Sequence, residues 1–295
     1  MKKWILTLST CLLLSACTSL PVDTKQPTKL PSDHDSSDKA KSAAVTNRAR
    51  KPHPPVRPHQ TASSPENPAP AAASLSTNRY VINTTNYLIA NKEHPEEKVL
   101  LLTFDDGPTG EATLSLLDTL DRHHAKSIWF VNGHQLATKD KEGRMKIIPE
   151  KAKLLQEIHK RGHLIGNHAW SHENLRKLAP EKQREELLST NQIIEQIIGE
   201  KPKFFRPPFG AYTETILQLC QTEGMSSINW SVGSLDWEAS VYRKDQGIAK
   251  QVLSTVHKGG NILFHDRVWT ARELDNILTQ LTNEGYQYVL PTEAK

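Results

Sequence analysis

Residues 99–108 read VLLLTFDDGP, and this stretch decides how the rest of the chain is interpreted. Four consecutive apolar residues, continued by Thr103 and Phe104, predict a buried β-strand. The strand leads into Asp105 and Asp106 and then a Gly-Pro turn, so two carboxylates stand where the strand ends. Because side chains alternate along a strand, we expect these carboxylates to point to different sides. One can then bind a metal ion while the other handles a proton.

Two histidines follow at a spacing that suits the same chemistry. His168 and His172 are four residues apart, and on a helical turn they would project from one face and share a metal ion. Taken alone, an Asp-Asp pair before a turn or a pair of histidines at this spacing is a common surface feature. Three further motifs appear later and in order: RPPFG at 206–210, Asp236-Trp237, and LFHD at 263–266.

Together these five motifs resemble those of the polysaccharide deacetylases of carbohydrate esterase family four, which share the NodB-homology domain. The resemblance extends from about Lys98 to Pro291, roughly two thirds of the chain. It implies a metal-dependent hydrolase that removes N-acetyl groups from a polysaccharide. It also implies a distorted, incomplete (β/α) barrel.

By this resemblance, the metal ligands are Asp106, His168 and His172. Two histidines and one carboxylate leave coordination positions open for water and substrate. One divalent ion is expected, and zinc suits the ligands best. Cobalt, nickel, manganese and iron remain possible because ligand type alone does not select among them.

The resemblance also assigns the acid–base residues. Asp105 matches the catalytic base, and Arg206 matches the residue that pairs with that carboxylate and keeps it ionised. His265 matches the general acid that protonates the leaving amine, and Asp236 would orient it. The backbone N–H of Phe209 is the candidate donor to the oxyanion.

Two apolar residues are expected around the acetyl methyl group. Trp237 and Leu263 would wall the acetyl pocket, although core packing explains Leu263 equally well. The chain departs from the family pattern at two positions. Ala169 replaces a Ser or Thr after the first histidine, and Gly233 stands where many members have another Asp. We expect both to affect fine tuning rather than metal binding itself.

The first 17 residues are typical of a bacterial lipoprotein leader. Two lysines precede an apolar run that is too short to span a bilayer, and Leu14-Ser15-Ala16-Cys17 resembles a lipobox. We therefore expect cleavage before Cys17 and acylation of that residue. A lipid-anchored, extracytoplasmic protein on a bacterial membrane follows from this, although the membrane that holds it stays open.

Residues 18–78 are predicted to be a disordered linker. They contain ten of the 18 prolines and no Phe, Trp or Tyr, so they have too little apolar surface to offset the entropy of ordering. Residues 79–295 are long enough for one catalytic domain. A linker of this kind would let an anchored enzyme act away from the membrane.

Within that domain, strands and helices alternate, which predicts about seven parallel strands with helices outside. The motifs follow strand ends, where barrel chemistry occurs. The predicted strands are 99–104, 127–131, 163–166, 204–205, 227–232, 261–265 and 286–290. The predicted helices are 111–122, 149–160, 180–198, 213–223, 246–257 and 271–284.

The substrate expected is an acetylated cell-envelope polysaccharide, above all the N-acetylglucosamine of peptidoglycan. Chitin-type oligomers, poly-N-acetylglucosamine and O-acetylated xylan are alternatives. A catalytically silent wall-binding lipoprotein is an alternative of another class. A formal net charge of +4 over 295 residues is too small to indicate nucleic-acid binding, and a monomer is expected.

Overall fold

The computed structural model describes residues 80–295. The leader, Cys17 and the linker of residues 18–78 lie outside the described residues, so the expectations about them stay predictions. Within the described part of the chain, no helix has the length and apolar character needed to cross a membrane.

The described residues form a series of short strands and longer helices. The strands are β1 (Tyr80–Ile82), β2 (Ile89–Asn91), β3 (Val99–Gly107), β4 (Ser127–Val131), β5 (Ala137–Lys139), β6 (Met145–Ile147), β7 (Leu164–Asn167), β8 (Phe204–Phe205), β9 (Ser226–Ser227), β10 (Val232–Gly233), β11 (Asn261–His265), β12 (Gln287–Tyr288) and β13 (Glu293–Ala294). The helices are α1 (Glu111–Arg122), α2 (Gly133–Leu136), α3 (Pro149–Lys160), α4 (Pro180–Ile198), α5 (Glu214–Thr222), α6 (Ala239–Tyr242), α7 (Gly247–Thr255) and α8 (Val268–Asn283).

Seven parallel strands form a curled half-barrel in the order β10-β11-β3-β4-β7-β8-β9, and β12 pairs with the start of β3. Every neighbouring pair in this order is parallel. Strands β9 and β10 stand at the two ends of the order and do not pair with each other, so the barrel is open between them. The predicted distorted, incomplete barrel is confirmed.

Strand β3 is the centre of this sheet, and both of its faces are buried. Leu100, Leu102 and Phe104 pack in one apolar cluster with the helices, while Val99 and Leu101 pack in a second cluster. This alternation explains why the strand is a continuous apolar run rather than an alternating one.

Several helices have the predicted bounds because their ends carry strong local signals. Both α3 and α4 begin with a proline, which has no N–H to leave unpaired at the first turn. Helix α4 ends at Gly199, which has φ of 79°, a conformation that costs glycine little. The α1 bounds also match the prediction.

The predicted strand 227–232 is wrong, because two short strands, β9 and β10, flank a segment that leaves the sheet. The carbonyl groups of Ile228 and Asn229 accept hydrogen bonds from the side chain of Arg206 instead. A long-range contact therefore overrides the local strand pattern. The β1-β2-β13 sheet and the β5-β6 hairpin were not predicted.

A buried histidine stabilises the packing of β4 against the start of β7. The Nδ1 atom of His163 accepts a hydrogen bond from the Ser127 N–H at 3.2 Å, and the ring lies edge-on to Trp129. Burial is the main cause that lowers the pKa of His163 to about 4; the charges of Lys126 and Arg161 act in the same direction, and Asp121 opposes them. The imidazole is therefore neutral in the folded protein.

We predict that His163 makes stability depend on pH. Because folding lowers its pKa from 6.5 to about 4, its contribution is present above pH 6.5 and is lost as the pH falls towards 4. The loss amounts to about 3 kcal/mol at most. Urea unfolding of the metal-free protein across this pH range measures it. His163→Gln should flatten the dependence, whereas His257→Gln, at an exposed position, should not; an unchanged slope in the first variant would refute the assignment.

Candidate active site

The carboxyl ends of the central strands surround a pocket of about 380 Å³. The residues that line it are Asp105, Asp106, His168, His172, Phe209, Trp230, Trp237, Leu263, His265 and Arg267. The structure therefore brings together eight residues that the sequence predicts for the site. Arg206 and Asp236 lie directly behind Asp105 and His265, to which they are hydrogen-bonded.

The two adjacent carboxylates face the same pocket, so the expectation that they point to different sides is wrong. Asp106 has φ of 70°, and the pairing of β3 with β4 shifts register between Asp105 and Gly107. A non-glycine residue in this left-handed conformation at a bulge redirects its side chain. The strand itself extends to Gly107, beyond the predicted end at residue 104, and both carboxylates belong to it.

Asp106, His168 and His172 form a group that could hold a metal ion. Their ligand atoms all lie within 4.8 Å of one another. The Oδ1 atom of Asp106 is 3.8 Å from His168 Nε2 and 3.4 Å from His172 Nε2. This oxygen is buried and has no hydrogen-bond partner, whereas Oδ2 accepts a hydrogen bond from Arg267 at 2.8 Å. A divalent cation between the three groups would satisfy that oxygen.

The surroundings set the ionisation states that metal binding needs. The Nδ1 atom of His168 is 2.7 Å from the carbonyl oxygen of Arg206, so Nδ1 carries the proton and Nε2 keeps its lone pair. Burial lowers the pKa of His172, and the charge of His168 acts in the same direction. Burial would raise the pKa of Asp106, but the three pocket histidines and Arg267 lower it overall.

The two histidines lie on an irregular loop after β7, so the predicted helical turn is wrong. Ala169 has φ of 63° and His172 has φ of 58°. The loop is held by Asn132, whose amide donates to the His168 carbonyl at 2.6 Å. Glu186 accepts hydrogen bonds from both the N–H and the hydroxyl of Ser171. Contacts from β4 and α4, rather than helix geometry, bring the imidazoles together.

Asp105 and Arg206 form a buried ion pair. The guanidinium Nη1 donates to Asp105 Oδ1 and to the Thr103 hydroxyl, each at 2.8 Å, and the side chain of Arg206 is fully buried. Burial lowers the pKa of Arg206, and the charge of Asp105 opposes that shift. The pair fixes the carboxylate so that Oδ2 faces the pocket, 3.5 Å from His168 Nε2.

Both carboxylates approach His168, and Asp105 Oδ2 is slightly the closer to its Nε2. We still favour Asp106 as the ligand, because its Oδ1 reaches the nitrogens of both histidines. Asp105 already shares its charge with Arg206, which leaves one oxygen free to accept a proton.

His265 and Asp236 form a second acid–base pair in the pocket, after Asp105 and Arg206. Asp236 is fully buried; its Oδ1 is 2.7 Å from His265 Nδ1, and its Oδ2 accepts from the Thr270 hydroxyl and the His265 N–H. Burial by itself lowers the pKa of His265, but the hydrogen bond and charge of Asp236 and the other two carboxylates raise it overall. These carboxylates therefore stabilise the protonated imidazole.

Aromatic rings form the walls around these polar groups. Phe209 has φ of 60°, and its side chain, 64% exposed, contacts the His172 ring. Trp237 lies on the other side, edge-on to His265 at 5.3 Å. Leu263 is buried and lines the pocket. All three residues line the pocket in positions compatible with the predicted roles.

The two departures from the family pattern have local explanations. Ala169 is fully buried and packs in an apolar cluster with Leu175 and Phe205, so a hydroxyl would find an apolar environment there. At Gly233 a Cβ atom would lie 3.3 Å from the Trp237 ring, so glycine leaves room for the tryptophan. Neither change removes a metal-binding or acid–base group.

Three contributing residues were missed from the sequence. Arg267 holds Asp106 Oδ2, Trp230 lines the pocket, and Thr270 holds Asp236. Arg267 directly follows the LFHD motif, so its position in the chain was a usable signal. No sequence signal pointed to Trp230, because it lies within the predicted strand 227–232 and outside the five motifs.

Comparisons with known proteins identify a family and similar structures. Residues 92–228 match the family model described as polysaccharide deacetylase. The peptidoglycan-N-acetylglucosamine deacetylase PgdA of Listeria monocytogenes is 33% identical over 210 residues, which cover 69% of this chain and 41% of the relative. The chain thus matches less than half the length of that protein.

Solved structures are also similar. Peptidoglycan deacetylase PdaC from Bacillus subtilis superposes with a TM-score of 0.56 at 30% identity, covering 68% of this chain and 89% of that one. A CE4 family pseudoenzyme from Bacillus anthracis gives a TM-score of 0.58 at 25% identity, covering 68% of this chain and 65% of that one. The identity to PdaC over most of its structure, together with the family model, shows that this chain belongs to the polysaccharide deacetylase family.

Proposed function

We propose that this chain is a metal-dependent hydrolase that removes N-acetyl groups from a cell-envelope polysaccharide. One observation carries the proposal: a possible metal-binding group of Asp106, His168 and His172 lies in the same pocket as two acid–base side chains, each of which has a charged partner. Asp105 is paired with Arg206 and His265 with Asp236. Amide hydrolysis needs both a base and an acid at the reacting carbon.

Asp105 is the base in this proposal. A bound divalent metal, with zinc the best fit to the donor set, would polarise the acetamide carbonyl and acidify the attacking water. Asp105 Oδ2 takes a proton from that water, while Oδ1 stays bonded to Arg206. The C–O bond forms, and the backbone N–H of Phe209 donates to the developing oxyanion.

His265 is the acid. Its proton passes to the amide nitrogen as the C–N bond breaks, which yields acetate and a free amine. Asp236 stabilises the protonated imidazole before this step, in agreement with the raised pKa of His265. Trp237 and Leu263 wall the space for the acetyl methyl group.

The substrate we favour is peptidoglycan N-acetylglucosamine. The name of the Listeria relative supports this sugar, whereas a Bacillus subtilis relative, 33% identical over 196 residues, is named as an N-acetylmuramic acid deacetylase. A catalytically silent wall-binding protein is the alternative that the Bacillus anthracis pseudoenzyme keeps relevant. Acetate release separates the two.

The first test measures acetate released from purified cell wall, with and without a chelator. The wild-type protein should release acetate, and the chelator should abolish release. Asp105→Asn should lower the rate about 10²–10⁴-fold, as expected for loss of one acid–base group. Asp245→Asn, at an exposed position, is the matched control and should be fully active. Absence of acetate release from the metal-loaded wild type would favour the silent alternative.

The second test concerns the metal ligands. His172→Ala should lose stoichiometric divalent metal, because it removes one of three ligands, while Asp105→Asn should retain it. Elemental analysis of the purified proteins measures this, and His257→Ala serves as control. Full metal content in His172→Ala would show that the ligand set is wrong; loss of metal in Asp105→Asn would reverse the roles of the two aspartates.

We also propose that the protein is anchored by lipid on Cys17, on the basis of the leader sequence. Cys17→Ala should block lipoprotein processing and leave an unlipidated form, whereas Cys11→Ala, within the leader, should be processed normally. Metabolic labelling with a fatty acid measures lipidation, and the size of the protein on a gel measures processing. Labelling that persists in Cys17→Ala would exclude this residue as the anchor.

A further inference from the structure

The turn that follows the two adjacent carboxylates is held by side chains that the proposed mechanism does not use. It comprises residues 107–110, joins β3 to α1, and is called here the 107–110 turn. Asp106 directly precedes it and has φ of 70°. This backbone conformation is unfavourable for a residue other than glycine, and it persists only where the surrounding structure holds it. The contacts of the turn therefore bear on the direction of the Asp106 carboxylate.

Asp266 holds the turn through its buried carboxylate. The residue is fully buried, and its Oδ2 accepts hydrogen bonds from the Thr109 N–H at 2.9 Å and the Thr113 hydroxyl at 2.6 Å. Its Oδ1 accepts from the Thr109 hydroxyl at 2.9 Å. The contact with the turn is direct, because a Cβ atom at Gly107 would lie 2.7 Å from Oδ2. A buried carboxylate needs such donors, so the turn and Asp266 are fixed relative to each other.

The neighbours of Asp266 in the chain extend this link to the pocket. The Asp266 N–H donates to the Asp105 carbonyl at 3.0 Å. Arg267, the next residue, donates to Asp106 Oδ2 at 2.8 Å. His265, the candidate acid, is the residue before. The candidate metal ligand and both acid–base residues are therefore tied to the position of Asp266.

Lys151 holds the same turn from helix α3. Its Nζ donates to the Pro108 carbonyl at 3.0 Å and to the Thr109 carbonyl at 2.8 Å. One ammonium group thus fixes two consecutive peptide planes. Lys151 lies in the first turn of α3, where the helix dipole disfavours a positive charge. Local helix energetics therefore does not favour this lysine, whereas the two carbonyls of the turn do.

We infer that Lys151 and Asp266 are positioning residues for the metal site, because they hold the 107–110 turn and thereby the Asp106 carboxylate. Neither belongs to the residues that line the pocket, so each acts through the backbone of the turn. The inference rests on the proposed function, in which Asp106 is a metal ligand. It predicts that loss of either side chain weakens metal binding although all three ligands remain.

The test of Lys151 measures the dissociation constant of zinc for the full chain, by competition with a chromogenic chelator. Lys151→Met keeps most of the aliphatic side chain and removes both hydrogen bonds to the turn. It should raise Kd about tenfold, as expected for loss of a group that supports a metal ligand. Lys153→Met, at an exposed position on α3, is the matched control and should leave Kd unchanged.

The test of Asp266 uses two variants in the same assay. Asp266→Ala should raise the zinc Kd about 10–100-fold, and Asp266→Asn, which keeps one acceptor oxygen, should recover part of the affinity. Urea unfolding of each metal-free variant is measured in parallel, because loss of a buried carboxylate also affects folding. If Asp266→Ala does not fold, Asp266→Asn and Lys151→Met decide the question.

A purely structural role would lower the stability of the metal-free protein and leave its zinc affinity unchanged. Unchanged zinc affinity in Lys151→Met or in the folded Asp266 variants would therefore overturn the inference. A wild-type protein that binds zinc, with the expected losses in the variants, but releases no acetate would count against the proposed catalytic function alone. A wild-type protein that binds no zinc would overturn both.

Discussion

The buried guanidinium of Arg206 is the constraint on which the rest of the site depends. A cation without solvent costs several kcal/mol unless its N–H groups are used, and here they are used by Asp105, Thr103 and the backbone after β9. Its carbon also lies 4.2 Å above the Phe130 ring. Such a pair contributes little net stability compared with apolar packing, but its hydrogen bonds join β3, β8 and the segment after β9. The barrel stays open next to that segment, where the pocket forms.

The same residue links the two functions expected of the pocket. Its side chain orients the carboxylate of Asp105, and its backbone carbonyl fixes the proton on His168 Nδ1. The candidate base and a candidate metal ligand are thus set by groups on a single residue. A displacement of β8 would disturb both at once. Arg267 plays a comparable part on the opposite side, where it holds one oxygen of Asp106 and leaves the other for a cation.

The family contains both peptidoglycan deacetylases and a pseudoenzyme, so its fold does not by itself decide activity. The contacts of individual charged groups must decide it instead. In this chain each buried charge of the pocket has a partner of opposite charge, and the unpartnered buried oxygen of Asp106 lies where a metal would be held. The substitutions at Ala169 and Gly233 lie beside these groups without interrupting them.

The sequence alone predicts the barrel and the set of pocket residues, because its signals are local. An apolar run marks β3, a proline begins α3 and α4, and the order of five motifs identifies the family. Only the tertiary structure decides the orientation of the site. The histidine loop is shaped by Asn132 and Glu186, and Arg206 interrupts the predicted strand at 227–232. Both features depend on contacts between residues that are distant in the chain. Local strand periodicity also does not reveal the left-handed backbone at Asp106, which directs both carboxylates into the same pocket.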